Sequence, residues 1–182
     1  MANPPLLGFA AYSGTGKTTL LAKLIPLLQQ LGIKTGVIKH SHHDFEMDYP
    51  GKDSYQLRMA GATPVMIVSP FRRALISEFK PQRDIALAEH LTAFPSEEVD
   101  LILVEGFRHE AFTKIELHRP SLGKPLLYPQ DANIIAIATD TILETPTNIS
   151  LLDLNNPQMI CDFIINHFFK HHRDRNLLPQ NS

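Results

Sequence analysis

A short stretch near the start of the chain, Ala11-Tyr12-Ser13-Gly14-Thr15-Gly16-Lys17-Thr18-Thr19, constrains the fold more than any other feature. The apolar run over residues 6–10 that precedes it is typical of a strand, and residues 20–31 that follow have the apolar spacing of a helix. A strand, a small-residue loop containing Gly-Lys-Thr and a helix form the context of a phosphate-binding loop. We therefore predict that residues 11–19, called the phosphate loop below, bind a nucleoside polyphosphate.

The residue types in the phosphate loop suit this chemistry. Gly14 and Gly16 allow a tight curl that aims several backbone N–H groups at one point. Lys17 brings a mobile positive charge to the β- and γ-phosphate oxygens, and the Thr18 hydroxyl can bind Mg²⁺. The pattern usually begins with Gly, and Ala11 stands there instead, which would carry a penalty if its φ were positive. The alternative reading is a chance turn before a helix.

Composition limits the class of protein. The chain has 182 residues, of which 43% are hydrophobic and 20% charged, as in an ordinary globular domain. A net charge of −2 provides no global attraction to nucleic acid or anionic lipid, and no apolar run approaches the roughly 18 residues of a membrane span. The start of the chain lacks the pattern of a signal peptide, and Cys161 is the only cysteine. We expect a cytoplasmic protein with one nucleotide-binding domain over residues 1–172 and a flexible tail over 173–182.

The rest of the chain predicts an α/β fold with a mostly parallel sheet flanked by helices, because buried strands alternate with helices. Residues 63–68 and 73–79, separated by a proline-containing turn, predict an added antiparallel hairpin. Further strands are predicted at residues 33–38, 101–104, 134–138 and 149–152, with a peripheral strand at 114–118, and helices at 53–60, 84–94 with Asp84 as N-cap, and 156–170. Ligands bind at the carboxyl ends of such strands, where the loops 11–17, 39–51, 105–109 and 139–140 are expected to converge.

Glu105 follows the apolar run Leu101-Ile102-Leu103-Val104, which is typical of a strand buried on both faces. A carboxylate at the exit of such a strand resembles the second acidic motif of a P-loop nucleotidase, in which the acid is usually Asp. We expect Glu105 to bind Mg²⁺ directly or through water, or to orient the attacking water. The alternative reading is a surface carboxylate that happens to follow a core strand.

The loop that begins Lys39-His40-Ser41-His42-His43-Asp44 has more than one reading. His42, His43 and Asp44 are potential transition-metal ligands, but adjacent histidines on an extended chain point to opposite sides and no cysteine supports a zinc cage. The position better fits a loop that meets phosphate or Mg²⁺, with Asp44 or Asp48 acting outside the direct ligands of the ion. A solvated polar loop is the third reading.

Asp140 follows the predicted strand 134–138 at the same edge of the sheet. Its carboxylate could accept hydrogen bonds from both N1–H and N2–H of guanine, a pair of donors that adenine does not offer. It could equally be an ordinary strand-ending Asp. Arg72, Arg73 and Arg108 could stabilise phosphate charge, although exposed arginines are common.

Taken together, residues 9–20, 38–44, 50–58 and 100–107 resemble the molybdopterin-guanine dinucleotide biosynthesis protein B (MobB) family. The similarity extends over nearly the whole chain, from about residue 6 to about residue 169. The stretches 38–44 and 50–58, the latter beginning Pro50-Gly51-Lys52-Asp53-Ser54, are more specific than the phosphate loop alone. The family tolerates alanine at the position of Ala11, so that departure is no conflict.

The resemblance implies a dimeric P-loop protein that binds GTP with Mg²⁺ and has weak GTPase activity. It implies a role in attaching GMP to molybdopterin, in which a separate MobA-type guanylyltransferase performs the transfer and this protein acts as adapter or nucleotide supplier. The pterin is a further candidate ligand, whereas neither nucleic acid nor membrane is an expected partner. We also expect the hairpin around residues 69–71 to mediate homodimerisation by extending a sheet across two chains.

These arguments define the candidate site. The candidate catalytic residues are Lys17 and Glu105, and the candidate metal ligands are Thr18 and Glu105, with Asp44 as a further candidate. The candidate nucleotide-binding residues are Ser13, Gly14, Thr15, Gly16, Lys17, Thr18, Thr19 and Asp140.

Two other functions stay open at this point. A small-molecule kinase would need an acceptor pocket and an arginine-rich lid, which no segment indicates, and a pure adapter would bind the nucleotide without cutting it.

Overall fold

The computed structural model describes residues 3–41, 44–79, 81, 83, 86–143, 146–170 and 172. They fall into two compact units, one made of residues 1–40 and 91–182 and the other of residues 41–90. The prediction of a single domain over residues 1–172 stays a prediction. The predicted N-cap Asp84 and the predicted tail 173–182 lie outside the described residues.

The elements follow the order that the sequence predicts. In chain order they are β1 (Leu6–Ala10), α1 (Lys17–Gln30), β2 (Thr35–Lys39), α2 (Asp53–Met59), β3 (Val65–Val68), β4 (Arg73–Ile76), α3 (Leu87–Ala93), β5 (Leu101–Glu105), β6 (Lys114–His118), β7 (Ile134–Thr139), β8 (Ser150–Asp153) and α4 (Pro157–Phe163), which continues as a π-helical segment over Ile164–Phe169. The first unit contains a six-stranded sheet in the order β2-β5-β1-β6-β7-β8, with every neighbouring pair parallel. The predicted α/β class with a mostly parallel sheet is confirmed.

Helices α1 and α4 pack on one face of this sheet. Alternate strand residues such as Leu7, Phe9 and Leu103 point to that face and form one hydrophobic core with the two helices. The buried stripe of α1 consists of Leu20, Leu21, Leu24 and Leu28. Helix α1 ends at Gln30, and Gly32, two residues beyond it, has a φ of 77°. The N–H of Gly32 donates to the Gln29 carbonyl at 2.9 Å and that of Ile33 to the Leu28 carbonyl at 3.1 Å, the paired bonds that left-handed glycine allows at a helix end.

Helix α4 begins at the N-cap Asn156, whose side chain accepts a hydrogen bond from the Met159 N–H at 3.1 Å. Phe163, Ile164 and Phe168 are buried. The Met159 side chain is 40% exposed. It lies in the first turn of the helix.

Loop segments lie against the opposite face of β1 and β6. A Cβ atom at Gly8 would come within 2.4 Å of the Phe112 ring, so only glycine permits this approach of the 106–113 loop. The carboxylate of Glu116 accepts the N–H groups of Leu127 and Tyr128, both at 2.8 Å, which holds the loop between β6 and β7 against the strand.

The prediction that residues 114–118 form a peripheral strand is wrong. Strand β6 lies between β1 and β7, and all five of its residues are buried. The charged side chains of β6 suggest exposure to solvent. Inside the protein, however, hydrogen bonds and ion pairs satisfy them. The Lys114 ammonium donates to the Asp131 carboxylate at 2.8 Å and to the Glu110 carbonyl at 2.5 Å. Paired charges can be buried where isolated ones cannot.

The second unit contains α2 and the predicted antiparallel hairpin of β3 and β4, which is confirmed. The turn is closed by the N–H of Ser69, which donates to the Arg72 carbonyl at 2.9 Å. Arg58, buried on α2, forms ion pairs with Glu46 in the preceding loop and with Glu78 after β4. Among the described residues, no helix is both long and apolar enough to cross a membrane.

Candidate functional site

The phosphate loop joins β1 to α1 and has the backbone that its glycines predict. Gly14 and Gly16 have φ values of 82° and 98°, which a side chain would strain. Phe107 is the one non-glycine residue with positive φ in the described part of the chain, so Ala11 carries no such strain. Thr15 is buried, and its hydroxyl donates to the Tyr12 carbonyl at 2.8 Å. This bond holds the curl of the loop from within.

Lys17 lies over the loop that precedes it. Its ammonium donates to the carbonyls of Ala11 at 3.1 Å and Tyr12 at 3.4 Å. Burial lowers the pKa of Lys17, Glu105 opposes this, and the positive charges of Arg108 and Lys39 lower the pKa further. The surroundings therefore place several positive charges together, and an anion bound in the loop would relieve their repulsion.

Glu105 and Thr18, which are 87 positions apart in sequence, meet beside this loop. Glu105 ends β5, and its Oε1 accepts a hydrogen bond from the Thr18 hydroxyl at 2.9 Å. A hydroxyl and a carboxylate are oxygen ligands of the kind that Mg²⁺ prefers, so the donor set fits this ion. Lys39, at the end of β2, approaches both groups: its ammonium is 3.5 Å from Glu105 Oε2 and donates to Thr18 Oγ1 at 3.4 Å.

The chain turns sharply after Glu105. Gly106 has a φ of 103°, and a Cβ atom there would lie 2.6 Å from the Cβ of His40. Phe107 has a φ of 50°, and its ring stacks on that of His40 with 4.6 Å between the centroids. The turn is thus packed against the end of β2, which fixes the carboxyl ends of two neighbouring strands relative to each other.

Arg119 is a candidate site residue that sequence reasoning missed. Its Nε donates to the Thr15 carbonyl of the phosphate loop at 3.0 Å, and its Nη1 forms an ion pair with Asp140. The second carboxylate oxygen of Asp140 accepts a hydrogen bond from the Thr141 hydroxyl at 3.3 Å. Arg119 directly follows β6, so recognising β6 as a central strand would have placed it at the carboxyl edge of the sheet.

Other predicted residues are less constrained. The Asp44 carboxylate accepts a hydrogen bond from the next backbone N–H, of Phe45, at 3.0 Å. His42 and His43 lie outside the described residues. Ser13 and Thr19 are exposed on the phosphate loop and the first turn of α1. Within the described ranges, no group of three or more His, Cys, Asp or Glu side chains is placed to hold a metal ion.

A pocket of about 220 Å³ lies beside the phosphate loop and is lined in part by Tyr12, Arg108 and Gln130. Tyr12 also has two cations near its ring: the Arg108 guanidinium is 5.7 Å and the Lys124 ammonium 6.0 Å from the ring centroid. A larger pocket of about 460 Å³ is lined by β8 and α4 residues and contains none of the predicted site residues.

The first unit thus has a parallel sheet, a glycine-containing loop that opens a helix after β1, and an acidic residue that ends the adjacent strand β5. Together these features define a P-loop nucleotide-binding fold.

Comparison with known proteins identifies the family. The family model for MobB, molybdopterin guanine dinucleotide synthesis protein B, matches residues 6–140 of this chain. The molybdopterin-guanine dinucleotide biosynthesis adapter protein of Escherichia coli (strain K12) is 46% identical over 162 residues, which cover 88% of this chain and 91% of that protein. The protein of the same description from Haemophilus influenzae is 42% identical over 172 residues, which cover 94% of this chain and 93% of that protein.

A crystal structure described as molybdopterin-guanine biosynthesis protein B (mobB) has the same fold, with a TM-score of 0.68 at 23% identity. The match covers 88% of this chain and 97% of that one. The chain belongs to the MobB family, as its sequence resemblance predicted.

Proposed function

We propose that this protein is a cytoplasmic adapter in the biosynthesis of the molybdopterin guanine dinucleotide form of molybdenum cofactor, and that it binds Mg·GTP with weak GTPase activity. The adapter role is supported by the relatives from Escherichia coli and Haemophilus influenzae, whose names state it. The nucleotide role is carried by one observation, the contact of Thr18 Oγ1 with Glu105 Oε1 at 2.9 Å beside Lys17. This contact supports a magnesium-phosphate site.

In this proposal the phosphate-loop amides and Lys17 bind the β- and γ-phosphates and stabilise the charge that develops on them during hydrolysis. Thr18 and Glu105 would hold Mg²⁺, which when bound neutralises charge on the same phosphate oxygens. Arg119 is held by Asp140 and by the Thr15 carbonyl, so it is not free to approach the γ-phosphate as an arginine finger. Slow hydrolysis is the expected consequence.

The proposed guanine reader is Asp140, through its capacity to accept two N–H donors from the base. Both of its oxygens have partners within the chain, namely Arg119 and the Thr141 hydroxyl. Guanine would therefore have to compete with Arg119 for this carboxylate. If the role of Asp140 is instead to hold Arg119 against the phosphate loop, its loss would weaken all nucleotides alike.

Further partners complete the proposal. A MobA-type guanylyltransferase would receive the nucleotide, molybdopterin would be the second substrate of that reaction, and two copies of this chain would associate through the β3–β4 hairpin. The support for the last step is the apolar surface of the hairpin, where Val68 and Phe71 are exposed. Exposed strand edges and apolar surface favour association.

Isothermal titration calorimetry with Mg·GTP and Mg·ATP tests the nucleotide proposal. The wild-type protein should bind GTP more tightly than ATP, and Lys17→Ala should weaken both by about tenfold or more, because a charge-assisted contact to phosphate is lost. Lys23→Ala, which removes an exposed lysine from the same helix, is the control and should bind like the wild type. Wild-type affinity in Lys17→Ala would contradict the phosphate-site proposal.

Asp140→Asn separates the two roles of that residue in the same titrations. A guanine reader predicts that the preference for GTP over ATP falls while ATP binding is retained. A role confined to Arg119 predicts equal weakening of the binding of both nucleotides, and that result would reject Asp140 as the guanine reader.

Phosphate release under single-turnover conditions with Mg²⁺ then decides whether GTP is hydrolysed. Absence of phosphate release in the presence of the partner would leave an adapter without GTPase activity.

A further inference from the structure

Lys39 is placed at the proposed magnesium site by the register of the sheet. In the parallel pairing of β2 with β5, Lys39 is the partner of Glu105. Its ammonium is 3.5 Å from Glu105 Oε2 and donates to Thr18 Oγ1 at 3.4 Å. The backbone pairing places Lys39 beside Glu105, which puts its ammonium within reach of both oxygens.

The two oxygens that Lys39 contacts come from the same two side chains that are proposed to hold Mg²⁺. An ammonium group and a divalent cation cannot both lie against Thr18 and Glu105, because like charges a few ångströms apart repel each other strongly. Entry of the ion therefore requires Lys39 to leave. The Lys39 side chain is 55% exposed, so it has room to move.

A displaced Lys39 loses its contact with the Glu105 carboxylate, and a phosphate oxygen would replace that contact with another negative charge. Its surroundings are already positive: Lys17 lies on the adjoining loop, and Arg108 follows β5. Bound phosphate would supply the missing anion. An ion that arrives with a nucleotide thus brings a new partner for Lys39, whereas an ion that arrives alone does not.

We infer that Lys39 occupies the magnesium position in the nucleotide-free protein and admits Mg²⁺ only together with a nucleotide, to whose phosphates Lys39 then moves. The inference deepens the proposed Mg·GTP function and rests on it. Lys39 is here a positioning residue that holds Thr18 and Glu105 in place before the nucleotide arrives. It also couples the binding of metal to that of phosphate.

The decisive experiment titrates MgCl₂ alone into nucleotide-free protein by calorimetry. Lys39→Met, which keeps the length of the side chain without its charge, should bind Mg²⁺ about tenfold more tightly than the wild type or better, because a competing cation is removed. Lys23→Met makes the same change in net charge on an exposed face of α1 and should match the wild type. Lys39→Arg retains the charge and should also exclude the ion.

The location of the ion is tested by adding Glu105→Gln to Lys39→Met, which should abolish the gain. Circular dichroism melting of each variant verifies that it is folded. No gain in Lys39→Met, including no detectable Mg²⁺ binding to either protein, overturns the inference. A gain that survives Glu105→Gln overturns it as well, because the ion would then lie elsewhere.

The same titrations with saturating GTP measure the coupling between metal and nucleotide. GTP should raise the Mg²⁺ affinity of the wild type more than that of Lys39→Met, by about tenfold, since only the wild type has an ammonium to displace. Equal coupling in the two proteins would contradict the exchange. Failure of the proposed function and failure of the inference about Lys39 give different results. Absence of GTP binding rejects the proposed function. The titration with Mg²⁺ alone contains no nucleotide and therefore tests the role of Lys39 by itself.

Discussion

Single buried ionisable residues decide how β6 is held in the sheet. Lys114, Glu116 and His118 alternate along the strand on one face and are all buried. Burial raises the pKa of Glu116, and the N–H groups of Leu127 and Tyr128 lower it in part. His118 Nδ1 is 4.0 Å from Glu116 Oε1, a contact that is attractive only when the imidazole is protonated. Glu116 and His118 therefore make the stability of the first unit depend on their protonation states.

His118 should make the protein less stable in mild acid. Burial lowers the pKa of His118 below 6.5, and Asp140 opposes this in part. Because the unfolded chain then binds protons more readily, the contribution of His118 is present above pH 6.5 and is lost as the pH falls towards the folded pKa. Urea unfolding at a series of pH values should show a steeper loss in wild type than in His118→Gln. Parallel curves for the two proteins would contradict this assignment.

At the scale of elements, continuous apolar runs made β1, β5 and β7 predictable, since a strand buried on both faces has few alternatives. The charged residues of β6 suggest exposure, although the loops before and after the strand supply partners for them. Arg119 was not predicted for the same reason. It directly follows β6, and the position of that strand in the sheet brings it to the phosphate loop. The site residues that lie in recognisable motifs, Lys17, Thr18 and Glu105, were predictable from sequence, whereas a partner supplied by a distant loop was not.

The pair of Lys114 and Asp131 tests how the start of β6 is held. Lys114→Met should lower the free energy of unfolding by about 2 kcal/mol, less than the 3–5 kcal/mol typical of breaking a fully buried pair, because Asp131 is partly exposed. Asp131→Asn in the same background should recover part of the loss, since no unpaired carboxylate then remains. A double-mutant cycle by urea unfolding measures the coupling. Strictly additive effects would show that the pair does not stabilise the strand.

At the scale of the whole molecule, the hairpin of the second unit presents an apolar surface. Phe71, in the turn of the hairpin, is 90% exposed, and Met66, Val68 and Leu75 of the paired strands are exposed as well. Such surface is costly in water unless something covers it. It supports the proposed homodimer, in which the hairpin of one chain would meet a second copy.

Sedimentation velocity tests this association. The wild-type protein should sediment as a dimer, and Val68→Lys with Phe71→Ser should shift it towards monomer, because charge and polarity on the hairpin disfavour pairing. Ile142→Ser is the matched control: Ile142 is 91% exposed but lies in the first unit, so its replacement should leave the dimer intact. Circular dichroism melting verifies that the hairpin variant is folded. A dimer that persists in this variant would exclude the hairpin as the interface.

The amino-acid sequence by itself determined the local chemistry of this protein. The apolar strands, the glycines of the phosphate loop, the lysine and threonine that open α1 and the acid that ends β5 are consequences of neighbouring residues, and such patterns specify an element without reference to the rest of the chain. Only the tertiary structure decided which distant groups meet. It brought Lys39 to Thr18 and Glu105, and Arg119 to Thr15 and Asp140, because strand order and register, which depend on packing of the whole sheet, set those distances.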